Sequence, residues 1–116
     1  MPPFAWQTLA ETPQHILRAS RNPAPASLLL TWPRPRIADL WSMLSMACAR
    51  YAPQVIFGPT VIGPDRIHTI ARLGDERVEI GVVANQNLCV SYMLACRPDL
   101  IPDTTPMIDA MLAQNA

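Results

Sequence analysis

Thirteen prolines spread through 116 residues restrict this chain more than any other feature of it. A proline has no backbone N–H to give to a helix or a ladder, and it pushes the residue before it out of helical geometry. The prolines and the four glycines fall mostly between apolar segments, so they mark the ends of short elements. No internal repeat or low-complexity tract is present. Thr12-Pro13 has the form of an N-cap followed by proline at the first helical position. It predicts a helix through about Ser20, with residues 3–10 adding a turn before it. Asn22-Pro23-Ala24-Pro25 ends that element. Ser27 to Trp32 reads as either a short buried strand or an irregular apolar segment.

The central helix has the clearest signature. Between Arg36 and Tyr51 the residues Ile37, Leu40, Trp41, Leu44, Ala47, Cys48 and Tyr51 recur at three- and four-residue steps. Met43 and Met46 widen this stripe beyond what one packing face needs, and Pro53 closes the element. Four strands follow as a meander, with turn signals at Gly63-Pro64-Asp65, Gly74-Asp75-Glu76 and Asn85-Gln86-Asn87. Loops at 63–65, 75–76 and 85–87 set Val61 opposite Ile67, Arg72 opposite Glu79, and Val82 opposite Val90. These registers put Val61, Ile67, Val78, Ile80, Val82, Val90, Tyr92 and Leu94 on one core face. Thr105-Pro106 starts a last helix from about Met107 to Gln114. The predicted fold is α+β: a four-stranded antiparallel meander, about 54–95, packed against a central helix, about 36–51, with an N-terminal and a C-terminal helix. At roughly 100–150 residues per domain, 1–116 is one unit.

Composition narrows the function classes. Half of the residues are apolar and 16% are charged, which excludes intrinsic disorder. Nine arginines balance nine acids with no lysine, so no global field draws the chain to nucleic acid or an anionic membrane. Arginine without lysine fits the codons of a GC-rich, bacterial genome. No apolar run approaches the roughly 18 residues of a membrane span. The start, Met1-Pro2-Pro3-Phe4, lacks the basic and apolar regions of a secretory signal. Three cysteines without CxxC spacing argue against a disulfide scaffold and for a reducing, cytoplasmic setting.

Candidate chemistry is sparse. Cys89, Cys96, His15 and His68 are the raw material for a nucleophile and base, with His68 and Cys89 expected on one sheet face but two strands apart. No histidine has a local partner at metal-ligand spacing, and no glycine-rich loop opens a helix. No cofactor is implied. Trp32-Pro33-Arg34-Pro35-Arg36 is the most basic stretch, and it reads more simply as a stiff linker than as a nucleic-acid contact. The reverse face of the meander is too apolar to face water. Ile56, Ile62, His68, Ile70, Arg72, Val83 and Met93 are therefore the expected interaction surface, unless the last helix covers them through Ile108, Met111 and Leu112. The leading expectation is a small cytoplasmic protein–protein interaction domain of accessory, chaperone, inhibitor or immunity type, homodimeric and non-enzymatic. A small-molecule binder with a pocket between the sheet and the Trp41/Met43/Met46 helix is the first alternative. An enzyme using His68 or Cys89 is the second.

Overall fold

The structure, a computed structural model, describes residues 3–114. Met1 and Pro2, part of the stretch read for a leader, lie outside it. In chain order it contains β1 (Gln7–Glu11), β2 (His15–Ser20), β3 (Ala26–Thr31), β4 (Arg34–Pro35), α1 (Leu40–Tyr51), β5 (Thr60–Ile62), β6 (Arg66–Leu73), β7 (Glu76–Ala84), β8 (Leu88–Cys96) and α2 (Thr105–Gln114). One antiparallel sheet runs in the order β1-β2-β3-β8-β7-β6-β5, and β4 continues alongside β8 beyond the end of β3. The expected four-stranded meander is therefore half of a larger, mostly-sheet domain with two helices.

The predicted N-terminal helix is replaced by the β1–β2 hairpin. Thr12 is the reason the two readings compete. Its hydroxyl accepts from the backbone N–H of Gln14 at 3.2 Å and of His15 at 2.9 Å, the kind of bond that would cap a helix. Here it closes a turn, and the Thr12 N–H donates to the His15 carbonyl at 2.8 Å. β2 then pairs along its whole length with β3, Ile16 opposite Leu30 and Arg18 opposite Leu28. The segment at 27–31 is thus a strand.

The meander strands are where the sequence places them, but their registers differ. All three hairpins close through two residues: Pro64-Asp65, Gly74-Asp75 and Gln86-Asn87. Two-residue loops suit the twist of paired strands best where the first central residue takes a positive φ. At the second turn Gly74 supplies a positive φ, +61°, while the other two turns close without one. At the third turn, Asn85 Oδ1 accepts from the backbone of Asn87 and Leu88. Reading the first and third loops as three residues shifts those registers by one, which sends every side chain to the other face. Val61 in fact faces His68, Val82 faces Ser91, and Ile80 faces Met93. The middle register shifts by two, so faces are kept but partners change: Arg72 faces Arg77, and Ile70 faces Glu79. Arg72 and Glu79 share a face without being opposite, and Glu79 pairs with Arg77 on its own strand at 2.8 Å.

The corrected registers divide the core in two. On one face Ile67, Ile80, Val82, Ala84 and Cys89 pack against Leu40, Met43, Leu44 and Ala47 of α1. On the other, Ile16, Leu28, Leu30, Val83, Val90, Tyr92 and Leu94 pack against Ile108 and Leu112 of α2. Val90, Tyr92 and Leu94 therefore belong to the α2 face, not to the face of Ile80. The outer strands are poor templates for further pairing. A bulge between Thr8 and Ala10 breaks β1, and β5 is three residues long between Pro59 and Pro64.

Candidate ligand groove

Trp32-Pro33 interrupts the pairing of β3 with β8, because ladder partners stop at Leu30–Tyr92 and resume at Arg34–Cys89. Across the gap the buried Thr31 hydroxyl accepts the Ser91 N–H at 3.0 Å, so that donor is not left unpaired. Arg36 then fixes the exit: its backbone N–H donates to the Asn87 carbonyl at 2.9 Å, and its guanidinium donates to the Asn85 carbonyl at 3.2 Å. Asp39 caps α1, accepting from the Ser42 N–H at 2.8 Å and from its hydroxyl at 3.0 Å.

With the inner stripe of α1 committed to β6, β7 and β8, one flank of the helix stands beside β4 without filling the space between them. A groove of about 620 Å³ results. Its apolar lining comes from Pro35, Ile37, Met46, Ala47 and Ala49, and its polar groups are Arg34, Arg50, Tyr51 and Ser91. The Tyr51 hydroxyl shares a 2.8 Å hydrogen bond with His15 Nε2 on β2, their rings edge to face at 5.7 Å. Partial burial holds the His15 pKa below its ordinary value, and the Arg50 and Arg34 guanidiniums lower it further. Burial pushes the Tyr51 phenol up, opposed by the same two arginines. Both rings are thus neutral at neutral pH, and the charge lining the groove is that of two guanidiniums. Arg34 Nη2 lies 3.4 Å from Ser91 Oγ. Among the described residues, the ion pairs are those of Arg66, Arg77 and Arg97, and neither Arg34 nor Arg50 is within 4 Å of a carboxylate.

A second, smaller cleft of about 230 Å³ lies on the α2 face, where Arg66, His68, Glu79 and Tyr92 meet the segment leading into α2. Its polar groups are largely spent on one another. The Tyr92 hydroxyl donates to Glu79 Oε2, and Arg77 donates to Oε1. Burial and the Glu79 charge drive the Tyr92 phenol strongly upward, so it is not a base. The ring of Tyr92 crosses β7 at Gly81, where a Cβ would stand 2.6 Å from Tyr92 Cε1. Glycine is required there by close approach.

The seven residues expected to form one interaction face are dispersed. His68, Ile70, Arg72 and Val83 share the α2 face, with Val83 buried in its core. Ile62 and Met93 fall on the α1 face, the latter packed beside the helix cluster. Ile56, 94% exposed, lies in the segment between α1 and β5. His68 and Cys89 sit on opposite faces of the sheet, so they form no catalytic pair. Cys89 is buried, and burial raises the Cys48 and Cys96 thiols away from the reactive thiolate. Among the described residues no group of three or more metal-ligating side chains is gathered.

A space between sheet and central helix is present, but of the three residues named for it only Met46 lines the groove. Met43 is core, and Trp41 is 53% exposed elsewhere on the helix. Sequence reasoning missed Arg34, Arg50, Tyr51 and His15 as neighbours. The available signal was the arginine in the Pro-Arg-Pro-Arg stretch together with a cation and an aromatic at the helix end. Among the described residues no helix is long and apolar enough to cross a membrane. Comparison with protein-family models, curated proteins and solved structures finds no match to this chain.

Proposed function

We propose that this is a binding domain without covalent chemistry of its own, and that its working surface is the groove between α1 and β4. The observation that carries the reading is an apolar groove of about 620 Å³ left open beside a helix whose other side is fully packed. Small-molecule sites are commonly concave spaces of about 300–1,000 Å³, mostly apolar, with a few placed polar groups. Met46 adds a flexible, polarisable wall able to adapt to a ligand. A second reading, a protein partner, is favoured by the apolar surface of Ile37 and Trp41 at the start of α1. The proposed setting is the cytoplasm, where the three free cysteines would remain reduced.

The test uses methionine methyl groups as reporters. Met46 lines the groove, whereas Met107 and Met111 pack on the α2 face. Screening apolar fragments against methyl-labelled protein should shift Met46 and leave Met107 and Met111 in place. Ala49→Trp, which puts an indole into the groove from an exposed helix position, should abolish the response while leaving the fold intact by circular dichroism. A library that never moves Met46 sinks the proposal.

A further inference from the structure

We propose that the groove takes a small amphipathic anion, an apolar body bearing a single carboxylate, with the carboxylate held between Arg34 and Arg50. The inference rests on the groove reading above and adds the chemical class of the ligand. Arg34 enters from β4 and Arg50 from the last turn of α1, so two consecutive elements bring like charges to one groove. Like charges gathered without a counter-ion repel each other, and each is satisfied best by an anion placed between them. Among the described residues three arginines form ion pairs, Arg66 with Asp109, Arg77 with Glu79 and Arg97 with Asp99, and six, Arg34 and Arg50 included, form none. What sets Arg34 and Arg50 apart is that both line one groove.

The rest of the lining decides what accompanies the charge. His15 and Tyr51 satisfy each other and are neutral, so they neither cancel the guanidiniums nor repel an anion. A bare inorganic anion would leave Pro35, Ile37 and Met46 uncovered, a neutral apolar ligand would leave both guanidiniums unused, and a cation would be repelled. The carbonyl end of α1 weakly opposes a nearby anion, so the guanidiniums must carry the attraction. Their planar N–H forks suit carboxylate oxygens in a way that lysine ammonium groups do not.

Three probes of one shape separate the terms: 1-naphthoate, the neutral 1-naphthylmethanol and the cationic 1-naphthylmethylammonium, each titrated while the Met46 methyl signal is followed. Naphthoate should bind about ten-fold more tightly than the alcohol, as one charge-assisted contact would give, and the ammonium should bind most weakly. Arg34→Gln and Arg50→Gln should each weaken naphthoate about three-fold or more without changing the alcohol, and together they should erase the preference. The lysine substitutions at the same positions keep the charge and should restore part of it, which also controls for any loss of fold in the glutamine variants. Equal binding of all three probes at Met46 overturns the anion assignment and leaves the groove reading standing. No Met46 response to any probe overturns both.

Discussion

The two faces of the sheet are each covered by one short helix, yet they are closed to different degrees. Under α2 the sheet presents Ile16, Leu28, Leu30 and Leu94, none more than 2% exposed, and Ile108 and Leu112 fit over them. Under α1 the seal extends over β6, β7 and β8 only, while Leu17 and Leu29, on the same face of β2 and β3, remain half-buried. Over β2, β3 and β8 the α2 face is sealed by large aliphatic side chains, its smaller cleft lying toward β6 and β7, whereas the α1 face ends in methionine, arginine and tyrosine beside a groove of about 620 Å³. A domain of this size needs one well-packed face for stability and can leave the other incomplete, and the incomplete one is where a ligand finds room.

The sharpest way to break that comparison is a pair of adjacent residues on β3. Leu28→Ala removes a fully buried side chain from the α2 core and should cost about 2–5 kcal/mol in chemical denaturation. Leu29→Ala, one residue on and on the α1 face, should cost roughly 1 kcal/mol, because a half-open site leaves no sealed cavity. Equal losses would mean that both faces are core. Next in size is Gly81→Ala. The added methyl must displace the Tyr92 ring and its bond to Glu79, with an expected cost of about 1–3 kcal/mol. A neutral result would show that the ring moves freely and that the α2 face is looser than described.

The smallest effect concerns pH and sharpens the account of the open face. His15 has a folded-state pKa below its unfolded value, so folding favours the neutral ring. Its contribution is fully present above the unfolded value of 6.5 and is lost as pH falls through the lower folded value. Thermal melts of wild type and His15→Gln, compared at pH 7.5 and 5.5, should show the wild type losing its relative advantage at the lower pH. A difference that is constant across this range would show that neither burial nor the two guanidiniums act on the ring.

What could be read from the sequence follows a physical line. α1 was legible because its stripe, Leu40, Leu44 and Ala47, records a single buried face, although the helix starts at Leu40 and not at Arg36. The order of β5 to β8 was legible because glycine, proline and asparagine mark turns by their backbone preferences. Their registers were not, since Gly63-Pro64-Asp65 and Asn85-Gln86-Asn87 each name a turn without saying whether two residues or three form the loop. The registers could share one face and still be shifted, because apolar residues occupy both faces of β8 and satisfy either parity. Thr12-Pro13 failed as a helix signal because a threonine hydroxyl bonds the following N–H groups equally well in a hairpin turn. At the groove, Met46 was visible as surplus on the helical stripe. The meeting of Arg34 with Arg50 was not, because it depends on β4 rejoining β8 after Trp32-Pro33.

The sheet order has a consequence for how the chain assembles. β1, β2 and β3 are sequence neighbours that pair in sequence order, and so are β5, β6, β7 and β8. Each set forms through local hairpins with little chain to immobilise at each step. The two sets meet in the sheet only where β3 and β4 lie against β8, which closes the whole stretch from Thr31 to Leu88 into a loop. The conformational entropy of that closure is recovered along one ladder, with α1 held inside the loop. β8 is therefore the seam of the molecule. The ladders that join the two meanders run along it, and so does the geometry of the groove, whose β4 wall exists only after the seam is closed.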